Sequence, residues 1–274
     1  MSRILTEAMA AYGFVERQFM LLKRYWMWEL VWLLYGMSMT LSIGFLGVGM
    51  QSLTGARLDT NHLILYLLTG SLLWGYLSGL FWDISHIVSW ERWEGTIEYT
   101  FMAPISRISH IFGMSLFAIV YGIVRTLLML GLVVLFFHLD LGKANLGGAL
   151  VVLGIASFSF LGFGTMVAVL PLMSPEKGSQ IAGIVEGILL MVSGVYYETS
   201  VLPRWMQIIS AFSPATYTLR GMRRALVEGA GLGHLLDCLL PLVAMGIILI
   251  PLGLKVFQWG EMYCKRTGKL KRSG

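Results

Sequence analysis

The sequence predicts an all-α integral membrane protein: six transmembrane helices, an N-terminal amphipathic helix on the membrane interface, and short outer helices, re-entrant or surface-lying, between spans 5 and 6. Three observations carry that prediction. The chain is 57% hydrophobic and only 13% charged, with a mean hydropathy of +0.74, so it lacks the polar side chains needed to cover a water-soluble domain. Several runs with one charge or none reach the roughly 20 residues that a helix needs to cross about 30 Å of hydrocarbon. Those runs are continuous, where a β-barrel would alternate apolar and polar residues.

In chain order, the expected spans are 30–50, 63–82, 111–137, 144–170, 178–197 and 238–259, within a single transmembrane domain of residues 1–274. The third carries Arg125 and the fifth Glu186. An ion at mid-helix costs about 2.5 to 3.5 kcal/mol on insertion scales, so both are functional candidates. Pairing would offset much of that cost, yet counted from the cytoplasm their depths differ by roughly 10 Å. The sixth span is interrupted by Pro241 and Pro251, and Lys255 can snorkel and let the helix continue to about Trp259. Gly75-x-x-x-Gly79 and Gly183-x-x-x-Gly187 would allow close helix approach, expected within the chain more than at a dimer seam.

Residues 1–28 read as an interfacial helix. Ile4, Leu5, Ala8, Tyr12, Val15, Phe19, Leu22 and Trp26 fall on one stripe, opposite Arg3, Glu7, Arg17 and Arg24, with Gly13 a weak point. Glu7, Glu16, Arg17, Lys23 and Arg24 interrupt any early apolar run, so a cleaved signal peptide is not expected. Residues 199–229 form an expected outer helical hairpin, because Pro203 and Pro214 leave too short a piece between them to cross. Ser213 reads there as an N-cap with Pro214 at the first helical position, opening a helix that runs to about Glu228 and stops at Gly229.

Lysine and arginine placement sets the expected orientation. With both termini cytoplasmic, Arg3, Arg17, Lys23, Arg24, Arg92, Arg107, Lys177, Lys255, Lys265, Arg266, Lys269, Lys271 and Arg272 lie inside. Arg57, Lys143, Arg204, Arg220, Arg223 and Arg224 lie outside. The formal net charge of +5 then reflects attraction to the inner leaflet, with no nucleic-acid partner expected.

The patterns of site chemistry are missing. No phosphate-binding G-x-x-x-x-G-K-[ST] loop occurs, no H-E-x-x-H and no G-x-S-x-G. His62, His86, His110, His138 and His234 are scattered one per segment, and Cys238 and Cys264 suggest neither a disulfide framework nor a metal site. No catalytic residue, metal or cofactor is expected on this chain, and it is not expected to hydrolyse ATP by itself.

Between the second and third spans, residues 89–107 concentrate charge and tryptophan in an otherwise apolar chain. On a helical projection Trp90, Trp93, Ile97 and Phe101 share one stripe, and Glu91, Glu94 and Glu98 a neighbouring one. Tryptophan suits the membrane interface, and Pro104 should end the helix near Met102. Gly95 either admits a closely approaching partner or breaks the helix, with Thr96 capping a second short one. A carboxylate row beside anionic lipid is repelled unless something basic meets it, which makes a protein partner a natural candidate.

The segment Glu91-Arg-Trp-Glu-Gly-Thr-Ile-Glu-Tyr-Thr-Phe-Met-Ala-Pro-Ile-Ser-Arg107 resembles the E-x-x-x-G-T-[LI]-E-x-x-x-x-[AS]-P-[IVL]-[SR]-R segment of permease subunits of type-2 ABC exporters. A second likeness follows in the same order: Gly194-Val-Tyr-Tyr-Glu198, Leu202-Pro-Arg-Trp-Met-Gln207, Ser213-Pro-Ala-Thr-Tyr217 and Gly221-Met-Arg-Arg-Ala-Leu226. Glu198 departs from the proline that many members carry there. The resemblance implies a multi-pass permease of a prokaryotic cytoplasmic membrane, paired with a second permease subunit as a homodimer and with two copies of a separate ATPase that binds ATP and Mg. It makes Glu91, Arg92, Glu94, Gly95, Thr96, Glu98, Pro104 and Arg107 candidates for the ATPase-coupling interface. Arg125, Glu186, Tyr196, Tyr197, Glu198, Arg220, Arg223 and Arg224 are candidates for the substrate path or gate.

The expected cargo is an amphipathic, drug-like or lipid-linked molecule moved outward; the same architecture would suit a lipid-linked polysaccharide or teichoic-acid-type glycan. Tyr196 and Tyr197 could stack on its rings, and Arg220, Arg223 and Arg224 could hold a phosphate or anchor in headgroups. From other classes, a membrane-embedded lipid-modifying enzyme would need Glu186 or a histidine as its acid or base, and lacks the spacing. A non-transporting scaffold would tolerate neutral replacement of Arg125 and Glu186.

Overall fold

The computed structural model describes residues 3–54, 60–139, 142–175 and 177–268, with side chains described except at 3–4, 50–54 and 60–62. Arg57, Lys269, Lys271 and Arg272, and the side chains of Arg3, Ile4 and His62, therefore lie outside the described residues. Twelve α-helices and one 3-10 turn, with no strand, make up the described fold: α1 (Arg3–Arg24), α2 (Trp26–Thr54), α3 (Thr60–Ser85), α4 (Ile87–Glu94), α5 (Ile97–Met102) and α6 (Arg107–Phe137). Next come α7 (Leu146–Val167), α8 (Val169–Met173), α9 (Gly178–Val192), the 3-10 turn Thr199–Val201, α10 (Arg204–Ala211), α11 (Pro214–Leu226) and α12 (Leu232–Thr267).

Among the described residues, five segments are long and apolar enough to cross a membrane: Trp26–Gly49, Leu63–Ser85, Arg107–Phe137, Leu146–Met173 and Leu232–Thr267. A helix satisfies its own backbone, which is why uninterrupted apolar runs take this form in lipid. The expected span at 178–197 is a shorter apolar helix, the 15 residues Gly178–Val192. That is about 22 Å of rise, short of the hydrocarbon thickness. Its end is set by Gly194, whose φ of +73° turns the chain out of the helix.

The bundle is built around α7 and α12, which meet backbone to backbone. A Cβ on Gly162 would stand 2.4 Å from the Leu249 carbonyl carbon, and one on Gly253 the same distance from the Gly162 oxygen. Ser159 Oγ donates across the seam to the Leu242 carbonyl at 2.6 Å. Against this pair pack α3 and α11, burying Leu77, Phe81, Val152, Phe160, Leu219, Leu235 and Leu242 in one core. The expected close-approach glycines play no such part: at Gly75, Gly79, Gly183 and Gly187 an added Cβ would meet nothing within 4 Å. They face an open side of the bundle, so the expectation of packing within the chain is overturned. Pro241 and Pro251 sit inside α12 without ending it; the helix runs 36 residues, past the expected Trp259 to Thr267.

The N-terminal helix has two faces. One packs along α6, where Ala11 and Phe14 lie against Gly113 and Gln18 Nε2 donates to Met114 Sδ at 3.0 Å. The other leaves Leu5, Tyr12 and Phe19 of the expected stripe exposed. Glu7 and Arg17, expected to face away, are tied into the chain. At the far end of the bundle α11 stops at Leu226, two residues short of the expected limit. Ser213 stands before Pro214 at the cap position, but its hydroxyl shares a 2.8 Å hydrogen bond with Ser193 Oγ and makes no cap bond.

Candidate functional site

The segment after α3 is an elbow of two short helices. Gly95 takes φ +74°, a conformation that side chains resist, so the helix beginning at Ile87 ends at Glu94. Its N–H returns to the Arg92 carbonyl at 3.2 Å, and the Thr96 N–H to Glu91 at 2.8 Å. Thr96 precedes α5 without a side-chain cap bond. The chain leaves α5 after Met102, where Ala103 is extended (ψ 142°) ahead of Pro104. This break splits the apolar stripe expected of one continuous helix. Ile97 and Phe101 turn inward onto Val88, Ile111, Leu172, Phe257 and Cys264, while Trp90 and Trp93 stay exposed.

The carboxylate row is divided in the same way. Glu91 is 1% exposed and accepts from His110 Nε2 at 3.0 Å and from Thr100 Oγ1 at 3.1 Å, with Arg17 Nη1 at 3.8 Å. Glu94 is clasped by Arg17, which reaches across from α1, and Glu98 is exposed. Arg92 is buried and donates to the Leu172 carbonyl at 2.8 Å; burial pushes its guanidinium below the ordinary range, with Cys264 acting in the opposite direction. Arg107 donates from Nε to both Glu261 oxygens at 3.1 Å and from its terminal nitrogens to the Thr100 and Phe101 carbonyls, its guanidinium 4.2 Å over the Phe101 ring. Lys265 completes the cluster at 2.7 Å from Glu261. Glu7 fastens the start of α6, accepting from the Ser106 N–H at 3.1 Å and the Ser109 hydroxyl at 2.6 Å.

Glu91, Arg92 and Arg107, expected at a partner interface, are thus internal struts that hold the elbow to α1, α6, α8 and α12. The face left open carries Trp93 (75% exposed), Tyr99 (79%) and Met102 (84%), together with Glu94, Glu98 and Pro104. Tyr99 and Met102 had no place in the projected stripes, because a projection through Gly95 assumes a helix that the chain does not keep. The elbow meets the bundle through His86, 3% exposed and stacked at 3.7 Å on Trp82. Burial pushes its imidazole below the ordinary 6.5, outweighing its backbone hydrogen bonds.

Within the bundle, Arg125 and Glu186 do not meet. Arg125 Nη2 donates to the Trp32 carbonyl of α2 at 3.0 Å and lies within electrostatic reach of Asp83. Glu29 of α2, which accepts a hydrogen bond from Tyr121, belongs to the same group of charges. Glu186 instead accepts from the Ser78 hydroxyl of α3. Glu29 and Asp83 went unnoticed because each borders an apolar run, where a charge reads as a terminus.

The far-end candidates also disperse. Arg223 is a strut: it donates to the Gly194 carbonyl at 2.8 Å and the Val195 carbonyl at 2.5 Å and lies 3.6 Å over the Tyr66 ring. Arg224 pairs with Asp237 at 2.5 Å, and Arg220 is exposed, 5.9 Å from the Tyr217 ring. These three do not converge on one phosphate-sized site. Tyr197 donates to the Met191 carbonyl, Tyr196 hydrogen-bonds Ser71, and Glu198 accepts from Ser200 at 3.1 Å. Among the described residues no three His, Cys, Asp or Glu side chains gather as a metal set would require.

An apolar helical bundle with a charged elbow built on the E-x-x-x-G-T-x-E segment is the frame of a multi-pass membrane protein. A family model described as ABC-2 type transporter matches residues 9–227, and the chain belongs to that family as an ABC-2 permease subunit. Over 114 residues it is 25% identical to the Linearmycin resistance permease protein LnrN of Bacillus subtilis (strain 168), a stretch covering 42% of this chain and 29% of that relative's length.

Proposed function

We propose that this chain is the membrane subunit of an ATP-driven exporter, and that the open face of the elbow docks on a separate ATPase. The observation that carries the reading is the division of labour in α4 and α5. Glu91, Arg92 and Arg107 anchor them rigidly, while Trp93, Tyr99 and Met102 stand bare beside Glu94 and Glu98. Exposed aromatics and methionine ringed by carboxylates are the composition of an interface core with a charged rim. The elbow lies in the cytoplasm in this reading, which requires α9 and the turn after it to complete a sixth crossing and places both termini inside the cytoplasmic membrane of a prokaryote.

Two copies of the chain and two ATPases form the working assembly. The glycine-lined open side of α3 and α9 is the seam between the copies, consistent with four glycines at which an added Cβ would meet nothing within 4 Å. The cargo is an amphipathic molecule of the drug-like class moved outward, a choice favoured over a glycan by the resistance named for the relative. Replacing Trp93, Tyr99 and Met102 together by alanine should weaken co-purification with the ATPase by about 2 kcal/mol or more while the chain still inserts and folds. Undiminished assembly and ATP-coupled transport in that variant would remove the elbow from the interface.

A further inference from the structure

Glu186 stands halfway along α9, on the side of the bundle where Gly183 and Gly187 and, across on α3, Gly75 and Gly79 leave open space. The Ser78 hydroxyl of α3 donates to its carboxylate and fixes its position between the two helices. No Lys, Arg or His among the described residues forms an ion pair with it. The arginine that the sequence offers for the purpose, Arg125, is held by the Trp32 carbonyl and the Asp83 field instead. The result is a carboxylate in an apolar helix, half-buried and held by a neutral donor, with room beside it and without a counter-ion among the described residues.

We propose that Glu186, positioned by Ser78, binds the ammonium group of a cationic amphiphile, so that the cargo class of the exporter includes amine-bearing apolar molecules. This inference rests on the transport reading above and names the substrate chemistry of its seam. The argument is charge complementarity in a weakly solvating place. A carboxylate lacking a counter-ion there gains most from a cation that arrives with its own apolar body, because that body displaces water and strengthens the pair. The glycines at one-turn spacing supply the space: at each of the four positions a Cβ would meet nothing within 4 Å, and side chains larger than hydrogen would narrow the furrow. A neutral ligand of the same shape lacks the charge term, and an anionic one is repelled.

The test is equilibrium binding to the purified chain in phosphatidylcholine nanodiscs at pH 7, with radiolabelled dodecylamine as the cationic probe and dodecanol as its neutral counterpart, each corrected by empty nanodiscs. Dodecylamine should bind the parent at least about tenfold more tightly than dodecanol, and Glu186→Gln should abolish that difference. Glu186→Asp, which keeps the charge, should retain part of the preference, and Ser78→Ala should weaken it with the carboxylate still present. Equal binding of the two probes by the parent, or an unchanged preference in a folded Glu186→Gln, would overturn the proposal. Loss of dodecylamine binding when phosphatidylethanolamine replaces phosphatidylcholine would mark the furrow as a lipid-headgroup site and overturn the cargo assignment. Because this assay contains no ATPase, its outcome is separate from that of the docking reading. A chain that binds dodecylamine through Glu186 yet never assembles with an ATPase would sink the exporter and leave the site standing.

Discussion

At the scale of single residues, the charged side chains of the elbow act as structural members. Glu91 is buried with two hydrogen-bond donors, so Glu91→Ala would leave His110 and Thr100 facing a void, at a cost of about 2 to 3 kcal/mol. Glu91→Gln should cost less, since it can still accept; thermal unfolding in detergent compares the two. His86 offers a pH handle. Its folded imidazole takes up a proton less readily than the unfolded one, so the stability it contributes is complete above about pH 6.5 and is lost as pH falls below that value. The chain should therefore lose melting temperature between pH 7.5 and 5.5, and His86→Gln should lose less over the same interval. An identical pH profile in both proteins would show that the elbow hinge does not titrate. Residue types pointed to the elbow, but burial was not legible: a row of three glutamates reads as one solvated face, and only the tertiary contact with α6 withdraws Glu91 from it.

At the scale of elements, one backbone angle decides which residues of the elbow stay exposed. Gly95→Ala should destabilise the elbow by about 1 to 2 kcal/mol, because its φ of +74° disfavours any Cβ. It should also shift α5 toward a continuous helix that turns Ile97 and Phe101 out of their core. Increased protease access at 95–104, at unchanged membrane insertion, is the measurement. Five long spans, carried by α2, α3, α6, α7 and α12, were legible as uncharged or singly charged runs, because hydrocarbon thickness imposes their length. Within the fifth expected span, 178–197, the helix ends at Val192: Gly194 and the two tyrosines after it look apolar enough to continue it, and composition does not register that Arg223 pins the Gly194 and Val195 carbonyls in a turn. The packing glycines were misplaced for a related reason. A spacing of four recurs by chance in a chain with 32 glycines, and only contact distinguishes Gly162 and Gly253, which touch, from Gly75 and Gly183, which do not.

At the scale of the whole molecule, the same chain shows a rigid end and an open side. The elbow is tied to α1 through Arg17, to α12 through Arg107 and Glu261, and to α8 through Arg92, so a push on its outer face reaches three parts of the bundle at once. The furrow between α3 and α9 starts one helix away, joined to the elbow by the stacked Trp82 and His86 and by the 3.0 Å hydrogen bond between Ser89 and Ser179 at the start of α9. In the docking reading proposed above, coupling needs no long relay, because α3 and α9, the helices that carry Ser78 and Glu186, are among those the elbow touches. The most direct test places a photo-reactive amino acid at Tyr99 or Met102, and as controls at Trp205 of the far end and Tyr12 of the exposed α1 face, in membranes that contain the ATPase. The account predicts that Tyr99 and Met102 cross-link to the ATPase and Trp205 does not; cross-links from Trp205 with none from the elbow would contradict it.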